Sequence, residues 1–156
     1  MSQSLSQIRP FEEILAALQA AFPDDEFTVE AKPIDDTYIT LVPESVRPVI
    51  ELLLEHFDIY HLSTITGDDV GDGVCLLYHF WSGYGITLRI LLPYEDLHMP
   101  TLTDLIPGAS YYEREIQEML GVTFEGLDIP GPMFLPDDWR DDGGPVRYPL
   151  RRETGA

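Results

Sequence analysis

The sequence Ser110-Tyr111-Tyr112-Glu113-Arg114-Glu115-Ile116-Gln117-Glu118-Met119-Leu120-Gly121 predicts a short helix with a marked beginning and end. Ser110 and Glu113 have the spacing of a capping box, in which each side chain satisfies a free backbone N–H at the helix start. Gly121 most easily adopts the left-handed conformation that ends a helix. The apolar residues Tyr112, Ile116, Met119 and Leu120 fall on one face, and the charged residues Glu113, Arg114 and Glu118 are expected at the surface.

Downstream of this helix, the chain changes to an extended, proline-rich character. The residues after Gly126 include Pro130, Pro132, Pro136, Pro145 and Pro149, and the apolar anchors are Met133, Phe134, Leu135, Trp139 and Leu150. Proline fixes the backbone at low entropic cost and does not fit easily into a sheet. Such a tail either wraps its own domain or lies on another protein, and we expect contact with a neighbouring protein to hold residues 127–153. We place the domain at residues 1–126 and the tail at 127–156, and we expect residues 10–121 to fold as an independent core.

Upstream of the helix, the pattern predicts an α+β domain of two layers. Helical spacing predicts one helix from Pro10 to Phe22, ended by Pro23, and a second from about Ser45, as N-cap, to Phe57 with Pro48 in its first turn. Strand patterns cover residues 27–29, 38–42, 58–66, 74–80 and 85–92, with polar turns around Pro33, Asp35 and Asp36 and at 67–73 and 82–85. The last three strands favour an antiparallel-rich sheet that the helices cover on one face.

Composition excludes several classes of function. The 28 acidic residues against nine basic ones give a formal charge of −19, so there is no basic patch for nucleic acid or an anionic membrane. Such acidity favours solubility, a salty habitat or a basic partner, and the sequence does not separate these. The single cysteine, Cys75, excludes an internal disulfide and an iron–sulfur cluster held by this chain alone. We expect no membrane span and see no signal peptide.

Three short motifs follow one another in the C-terminal third. The Glu-Arg-Glu helix is closed by Gly-Val-x-Phe-x-Gly at 121–126, and Leu-Pro-Asp-Asp-Trp at 135–139 and Tyr-Pro-Leu-Arg at 148–151 follow. This order resembles the C subunit of respiratory NADH dehydrogenase (complex I), and still more its relatives in the membrane-bound group 4 nickel-iron hydrogenases. Residues 62–69 and 78–80 resemble the strands of the hydrogenase branch. The chain departs from many complex I members at 127–133, which lacks their His-Pro and arginines.

The resemblance implies a non-catalytic scaffold subunit in the peripheral arm of a membrane-bound, ion-translocating hydrogenase that evolves hydrogen from ferredoxin. It implies a location on the cytoplasmic side of the cell membrane. The implied partners are a hydrogenase-large-subunit-like chain, an iron–sulfur small subunit and other subunits of the complex. They would carry the nickel-iron centre and the [4Fe-4S] clusters, and this chain would carry no cofactor. The alternatives are the C subunit of a respiratory NADH or other quinone- or phenazine-reducing dehydrogenase, and a free acidic adaptor protein.

The candidate residues are predicted to bind partners, and none is predicted to be catalytic. They are Glu113, Arg114, Glu115, Phe134, Trp139, Pro149, Leu150, Arg151 and Arg152. The alternatives are an ordinary charged helix start and a frayed basic C-terminus. Glu113 and Glu115 would diverge by about 200° on a helix, which argues against paired acid–base catalysis. The aspartates of 67–73 lack the ligand spacing of an EF-hand, and the four histidines lack metal-ligand spacing.

Overall fold

The computed structural model describes residues 11–25, 27–32, 36–128, 130–139 and 147–152. The predictions at Pro10, Pro33, Asp35 and Pro145 lie outside these ranges. The helices are α1 (Phe11–Ala21), α2 (Pro43–Phe57) and α3 (Ala109–Leu120). The strands are β1 (Thr28–Lys32), β2 (Asp36–Leu41), β3 (Leu62–Asp69), β4 (Gly73–Trp81), β5 (Gly85–Pro93), β6 (His98–Pro100) and β7 (Thr123–Glu125).

The first five strands form one sheet in the order β1-β2-β5-β4-β3. Strands β3, β4 and β5 pair antiparallel as an up-and-down meander, and β1 pairs antiparallel with β2. The two groups are joined by a parallel pairing of β2 with β5. Strands β6 and β7 form a separate small parallel pair. The predicted α+β class with an antiparallel-rich sheet is confirmed.

The hydrophobic core lies between one face of the sheet and the helices. Alternate residues of the central strands point into it and are fully or almost fully buried: Val74, Leu76, Tyr78 and Phe80 from β4, and Ile86, Leu88, Ile90 and Leu92 from β5. Helix α2 adds Val46, Val49, Ile50 and Leu53. Helix α3 packs closely on β3 at Gly67, where a Cβ atom would collide with the side chain of Leu120.

Helix α2 begins at Pro43, two residues earlier than predicted. The prediction of Ser45 as N-cap is wrong, because Ser45 is buried and its hydroxyl donates to Asp25 Oδ2 at 2.6 Å. The position of Pro48 is also corrected, since it lies inside the helix and not in the first turn. The predicted end at Phe57 is confirmed by Asp58, which follows in a left-handed conformation with φ 54°.

Strand β3 is shifted towards the C-terminus relative to its prediction. Residues 67–69 were expected in a turn, but they continue the strand and pair with residues 74–76 of β4. The turn is confined to Val70–Asp72 and is closed by the Val70 N–H donating to the Gly73 carbonyl at 3.0 Å. The shift points Asp69 towards the protein interior, where it is 2% exposed.

A candidate partner-binding site on helix α3 and the strap

Glu113 anchors the start of α3 to the loop that precedes the helix. Its side chain is fully buried and accepts hydrogen bonds from Thr101 Oγ1 at 2.6 Å and from the Leu102 N–H at 2.7 Å. Burial raises the pKa of the Glu113 carboxyl, and these hydrogen bonds oppose the rise only in part. The predicted capping box is wrong, because the helix begins at Ala109 after Gly108 and has no side-chain cap. The side chain of Glu113 therefore has no surface to offer a partner.

Arg114 and Glu115, the next two predicted residues, differ in environment. Glu115 is exposed, whereas Arg114 is half-buried. The Arg114 Nη2 group donates to the Gly131 carbonyl at 3.2 Å, and its Nε–H is buried without an acceptor in the described ranges. Arg114 therefore reaches from α3 towards residues 130–139, which we call the strap.

Glu118 holds the strap against α3. It was expected at the surface but is only 8% exposed, because the strap lies over it. Its carboxylate accepts three consecutive backbone N–H groups, from Met133, from Phe134 at 2.8 Å and from Leu135 at 3.3 Å. Hydrogen bonds to an ionised acceptor are roughly twice as strong as neutral ones, so Glu118 is the main polar contact between helix and strap.

A cavity of about 260 Å³ lies between α3 and the strap. Its walls are Arg114, Gln117 and Glu118 from the helix and Gly131, Pro132, Leu135, Pro136, Asp137 and Trp139 from the strap. Outside the cavity, the ring of Phe134 packs edge-on against Tyr111 with 5.6 Å between ring centroids, and Phe134 stays 41% exposed.

Trp139 connects the strap to residues 147–152, which we call the C-terminal segment. The indole N–H donates to the Arg147 carbonyl at 3.0 Å, and the Arg147 guanidinium lies 5.4 Å from the ring centroid. The predicted Leu-Pro-Asp-Asp-Trp motif forms a turn that is closed by the Trp139 N–H donating to the Pro136 carbonyl at 3.0 Å, and Trp139 contacts the C-terminal segment at Arg147.

The C-terminal segment binds the carbonyl end of α3. The Leu150 N–H donates to the Met119 carbonyl at 3.0 Å, and Arg151 Nη1 donates to the Leu120 carbonyl at 3.1 Å. Both carbonyls belong to the last turn, whose acceptors have no partner within the helix. The predicted helix end at Gly121 is confirmed by its φ of 77°, and a Cβ atom there would lie 2.7 Å from the ring of Tyr148.

Asp69 of β3 fixes the end of the C-terminal segment. Its carboxylate accepts the Arg152 N–H at 2.5 Å, the Gly71 N–H at 3.0 Å and the Tyr94 hydroxyl, and Arg151 Nε lies 3.5 Å away. The Arg151 guanidinium also lies 4.5 Å above the centroid of the Tyr94 ring. Burial alone would raise the pKa of Asp69, but these hydrogen bonds and the charge of Arg151 outweigh it and hold the pKa below its usual value.

Several predicted residues remain accessible after these contacts are made. Glu115, Phe134, Pro149, Leu150 and Arg152 are exposed, and Leu150 is 57% exposed. The prediction that a neighbouring protein holds the tail stays a prediction. The structure adds that the described part of the tail binds its own domain, and that Arg151 is used within the chain.

Sequence reasoning missed Glu118 and Asp69 as organising residues. The helical pattern gave no signal for Glu118, because the strap that buries it comes from outside the helix. Asp69 carried a usable signal: it continues the inward alternation of Ile65 and Gly67.

The fold and the strap define a class of protein: an α+β domain whose strap and C-terminal segment fold back on its third helix. Residues 39–155 match the family described as respiratory-chain NADH dehydrogenase, 30 Kd subunit, and the chain belongs to this family. The match includes α3, the strap and the C-terminal segment. The resemblance found in the sequence motifs is therefore confirmed at the level of this complex I family.

Individual relatives agree with this assignment. The NADH-quinone oxidoreductase C subunit of Salinispora tropica is 30% identical over 153 residues, which cover 90% of this chain and 62% of that protein. The C/D subunit of Serratia proteamaculans is 29% identical over 154 residues, which cover 88% of this chain. The C/D subunit of Aeromonas salmonicida is 40% identical over 81 residues, covering 49% of this chain and 13% of that protein. The chain spans 25% of the length of the Serratia protein.

Two solved structures share the fold. A chain of the membrane-bound sulfane sulfur reductase, an archaeal respiratory membrane complex, has a TM-score of 0.73 and 27% identity, over 90% of this chain and 83% of that one. The trypsin-resistant fragment (1-134) of Nqo5 has a TM-score of 0.65 and 22% identity, over 76% of this chain and 98% of that one. The likeness to Nqo5 shows the fold alone.

Two further observations concern the described ranges only. None of their helices is long and apolar enough to cross a membrane. In the same ranges, His, Cys, Asp and Glu side chains do not gather in a group of three that could hold a metal ion.

Proposed function

We propose that this chain is a non-catalytic scaffold subunit in the peripheral arm of a complex I-related, membrane-associated assembly. The observation that carries the proposal is the family match over residues 39–155. The related proteins are subunits of NADH-quinone oxidoreductase or, for the sulfane sulfur reductase, a chain of a respiratory membrane complex. On this proposal, the electron-transfer chemistry belongs to the partner subunits.

The arrangement of α3, the strap and the C-terminal segment suits a scaffold. Glu113, Glu118 and Asp69 hold three separate pieces of chain together through buried carboxylates. Rigid presentation lowers the entropic cost of binding a partner. The exposed Phe134 and Leu150 then offer apolar anchors, and a basic partner surface would complement the charge of −19.

For the partners, we propose a hydrogenase-large-subunit-like chain and an iron–sulfur small subunit, on the cytoplasmic side of the cell membrane. We favour the hydrogenase branch, with ferredoxin as donor and a nickel-iron centre in the large subunit. Its support is that residues 62–69 resemble a strand of that branch and that residues 127–133 lack the His-Pro of many complex I members. The likeness to a chain of the sulfane sulfur reductase supports membership of a related complex that is not an NADH dehydrogenase.

The second candidate is the C subunit of an NADH or other quinone- or phenazine-reducing dehydrogenase. The observation that favours it is the set of sequence relatives, which carry the name NADH-quinone oxidoreductase. The two candidates place the chain in the same kind of assembly and differ in the chemistry of the large subunit.

Purification of the affinity-tagged chain from membranes of its source organism tests both the scaffold role and the choice between hydrogenase and dehydrogenase. Mass spectrometry should identify a hydrogenase-like large subunit and an iron–sulfur subunit in stoichiometric amounts. Nickel in the complex, with hydrogen evolution from reduced ferredoxin, supports the hydrogenase branch, and quinone reduction without nickel supports the dehydrogenase. Recovery of the chain alone, or with unrelated proteins only, contradicts the scaffold and favours a free acidic adaptor.

A further inference from the structure

The cavity between α3 and the strap has the size and lining of a site for protein side chains. Its volume of about 260 Å³ is below the roughly 300–1,000 Å³ of sites for small molecules and cofactors. Its strap wall is formed largely by the prolines and by Leu135 and Trp139. A space of this size and character fits one or two side chains of a peptide segment.

The polar wall of the cavity carries one available cation among the described residues. Arg114 contacts no carboxylate within the described ranges, and its only acceptor there is the Gly131 carbonyl. Glu118, the other charged residue of the helix wall, is already occupied by three backbone N–H groups. A guanidinium beside an apolar wall pairs well with a carboxylate, because its planar N–H groups match the two oxygens.

We infer that this cavity receives an apolar side chain of another subunit, together with a neighbouring Asp or Glu of the same segment that pairs with Arg114. The inference rests on the proposed function, since it requires an assembly. Charge complementarity selects the occupant: a carboxylate is the group that Arg114 lacks in the described part of the chain. Tryptophan and arginine are also the residues that most often anchor protein interfaces.

Site-specific photo-cross-linking in the intact complex tests the identity of the occupant. A photoreactive amino acid replaces Asp137, which is exposed at the rim of the cavity, and the control replaces Glu55, which is exposed on α2. We expect the Asp137 position to capture one segment of another subunit that contains Asp or Glu next to an apolar residue. Capture of a segment without a carboxylate, or of nothing beyond the Glu55 control, overturns the inference.

A charge exchange tests the pairing itself. Arg114→Glu should reduce the yield of assembled complex roughly 30-fold, since breaking a desolvated charge pair at an interface has an effect of this size. Replacing the captured acidic residue of the partner by lysine should restore most of that yield. The control is a charge reversal at the exposed Glu55 of α2, Glu55→Lys, which should leave assembly unchanged.

Hydrogen exchange of residues 130–139 in the free Arg114→Glu protein separates loss of pairing from loss of the strap. Unchanged exchange with lost assembly supports the inference, and so does rescue by the partner's lysine. Normal assembly of Arg114→Glu overturns it. If the complex is intact but the cross-links lie elsewhere, the inference about the cavity is wrong and the proposed scaffold function still stands. If no complex I-related subunits are found with the chain, both are wrong.

Discussion

Replacing Glu118 by glutamine tests whether one buried carboxylate holds the strap. In the wild-type protein, Oε1 accepts the Met133 N–H and Oε2 accepts the Phe134 and Leu135 N–H groups. Glutamine has nearly the same shape, but one of its terminal groups is a donor. If its oxygen faces Phe134 and Leu135, its NH₂ group confronts the Met133 N–H. At least one of the three hydrogen bonds is then lost.

The magnitude follows from the charge of the acceptor. A hydrogen bond to a charged group contributes about 1.5–3 kcal/mol, and a neutral one about 0.5–1.5 kcal/mol. Loss of one charged hydrogen bond alone costs about 1.5–3 kcal/mol and the two that remain are weakened as well, so strap opening should become easier by at least about 2 kcal/mol. Because about 1.4 kcal/mol corresponds to a factor of ten, this lower bound predicts amide exchange at Met133, Phe134 and Leu135 that is faster by roughly 30-fold or more.

Amide hydrogen exchange followed by mass spectrometry on a peptide covering 130–139 measures this opening. Glu115→Gln is the matched control, since Glu115 is exposed on the same helix, and it should leave exchange in the strap unchanged. Exchange in β4 should also stay unchanged in both variants, because the sheet does not depend on the strap. Equal strap exchange in Glu118→Gln and wild type would refute the assignment of Glu118 as the holding residue.

Three further sites test the other buried polar groups. Asp69→Asn should make opening of the C-terminal segment easier by about 2 kcal/mol, measured by amide exchange at 147–152. The folded pKa of Asp69 is lowered, so in the wild type its contribution to stability is present above the ordinary aspartate pKa. That contribution fades as the pH falls through the folded pKa. Glu113→Ala should lower the free energy of unfolding by about 2 kcal/mol in urea titrations, since it leaves the Leu102 N–H without an acceptor. Glu113→Gln should lower the free energy of unfolding by less than Glu113→Ala does at neutral pH. The reason is that the folded pKa of Glu113 is raised, so the carboxyl stabilises the fold at low pH and this contribution declines as the pH rises through the folded pKa. Tyr78→Phe should leave the melting temperature unchanged or raise it, because the fully buried Tyr78 hydroxyl has no hydrogen-bond partner in the described ranges; a clear fall would reveal a partner for it.

Local patterns in the sequence were sufficient for much of the fold. The meander of β3, β4 and β5 could be predicted because alternating apolar residues are separated by short turns. The end of α3 at Gly121 was equally local. These features depend on a few adjacent residues, so a single sequence contains the information they need.

The errors arose where a distant group competed with a local motif. The spacing of Ser110 and Glu113 suited a capping box, but Glu113 instead binds Thr101 and Leu102 in the preceding loop. Ser45 likewise had the chemistry of a helix cap, but its hydroxyl binds Asp25. A helical wheel assigns charged residues to the surface and contains no information about a strap that arrives from elsewhere in the chain. The sequence therefore predicted the region of the candidate site, but it did not predict Glu118 and Asp69 as the residues that hold the strap and the C-terminal segment.

The parallel contact of β2 with β5 constrains the order in which the protein can fold. Asp36 at the start of β2 pairs with Gly85 at the start of β5, and α2, β3 and β4 all lie between them in the sequence. During synthesis, the paired strands β1 and β2 therefore leave the ribosome with the inner edge of β2 exposed, and that edge must wait for β5. Pulse-labelling hydrogen exchange during refolding should detect protection in β3, β4 and β5 before protection in β1 and β2. Simultaneous protection of all five strands would contradict this order. Until β5 is available, the first two strands are the part of the nascent chain most exposed to pairing with a wrong neighbour.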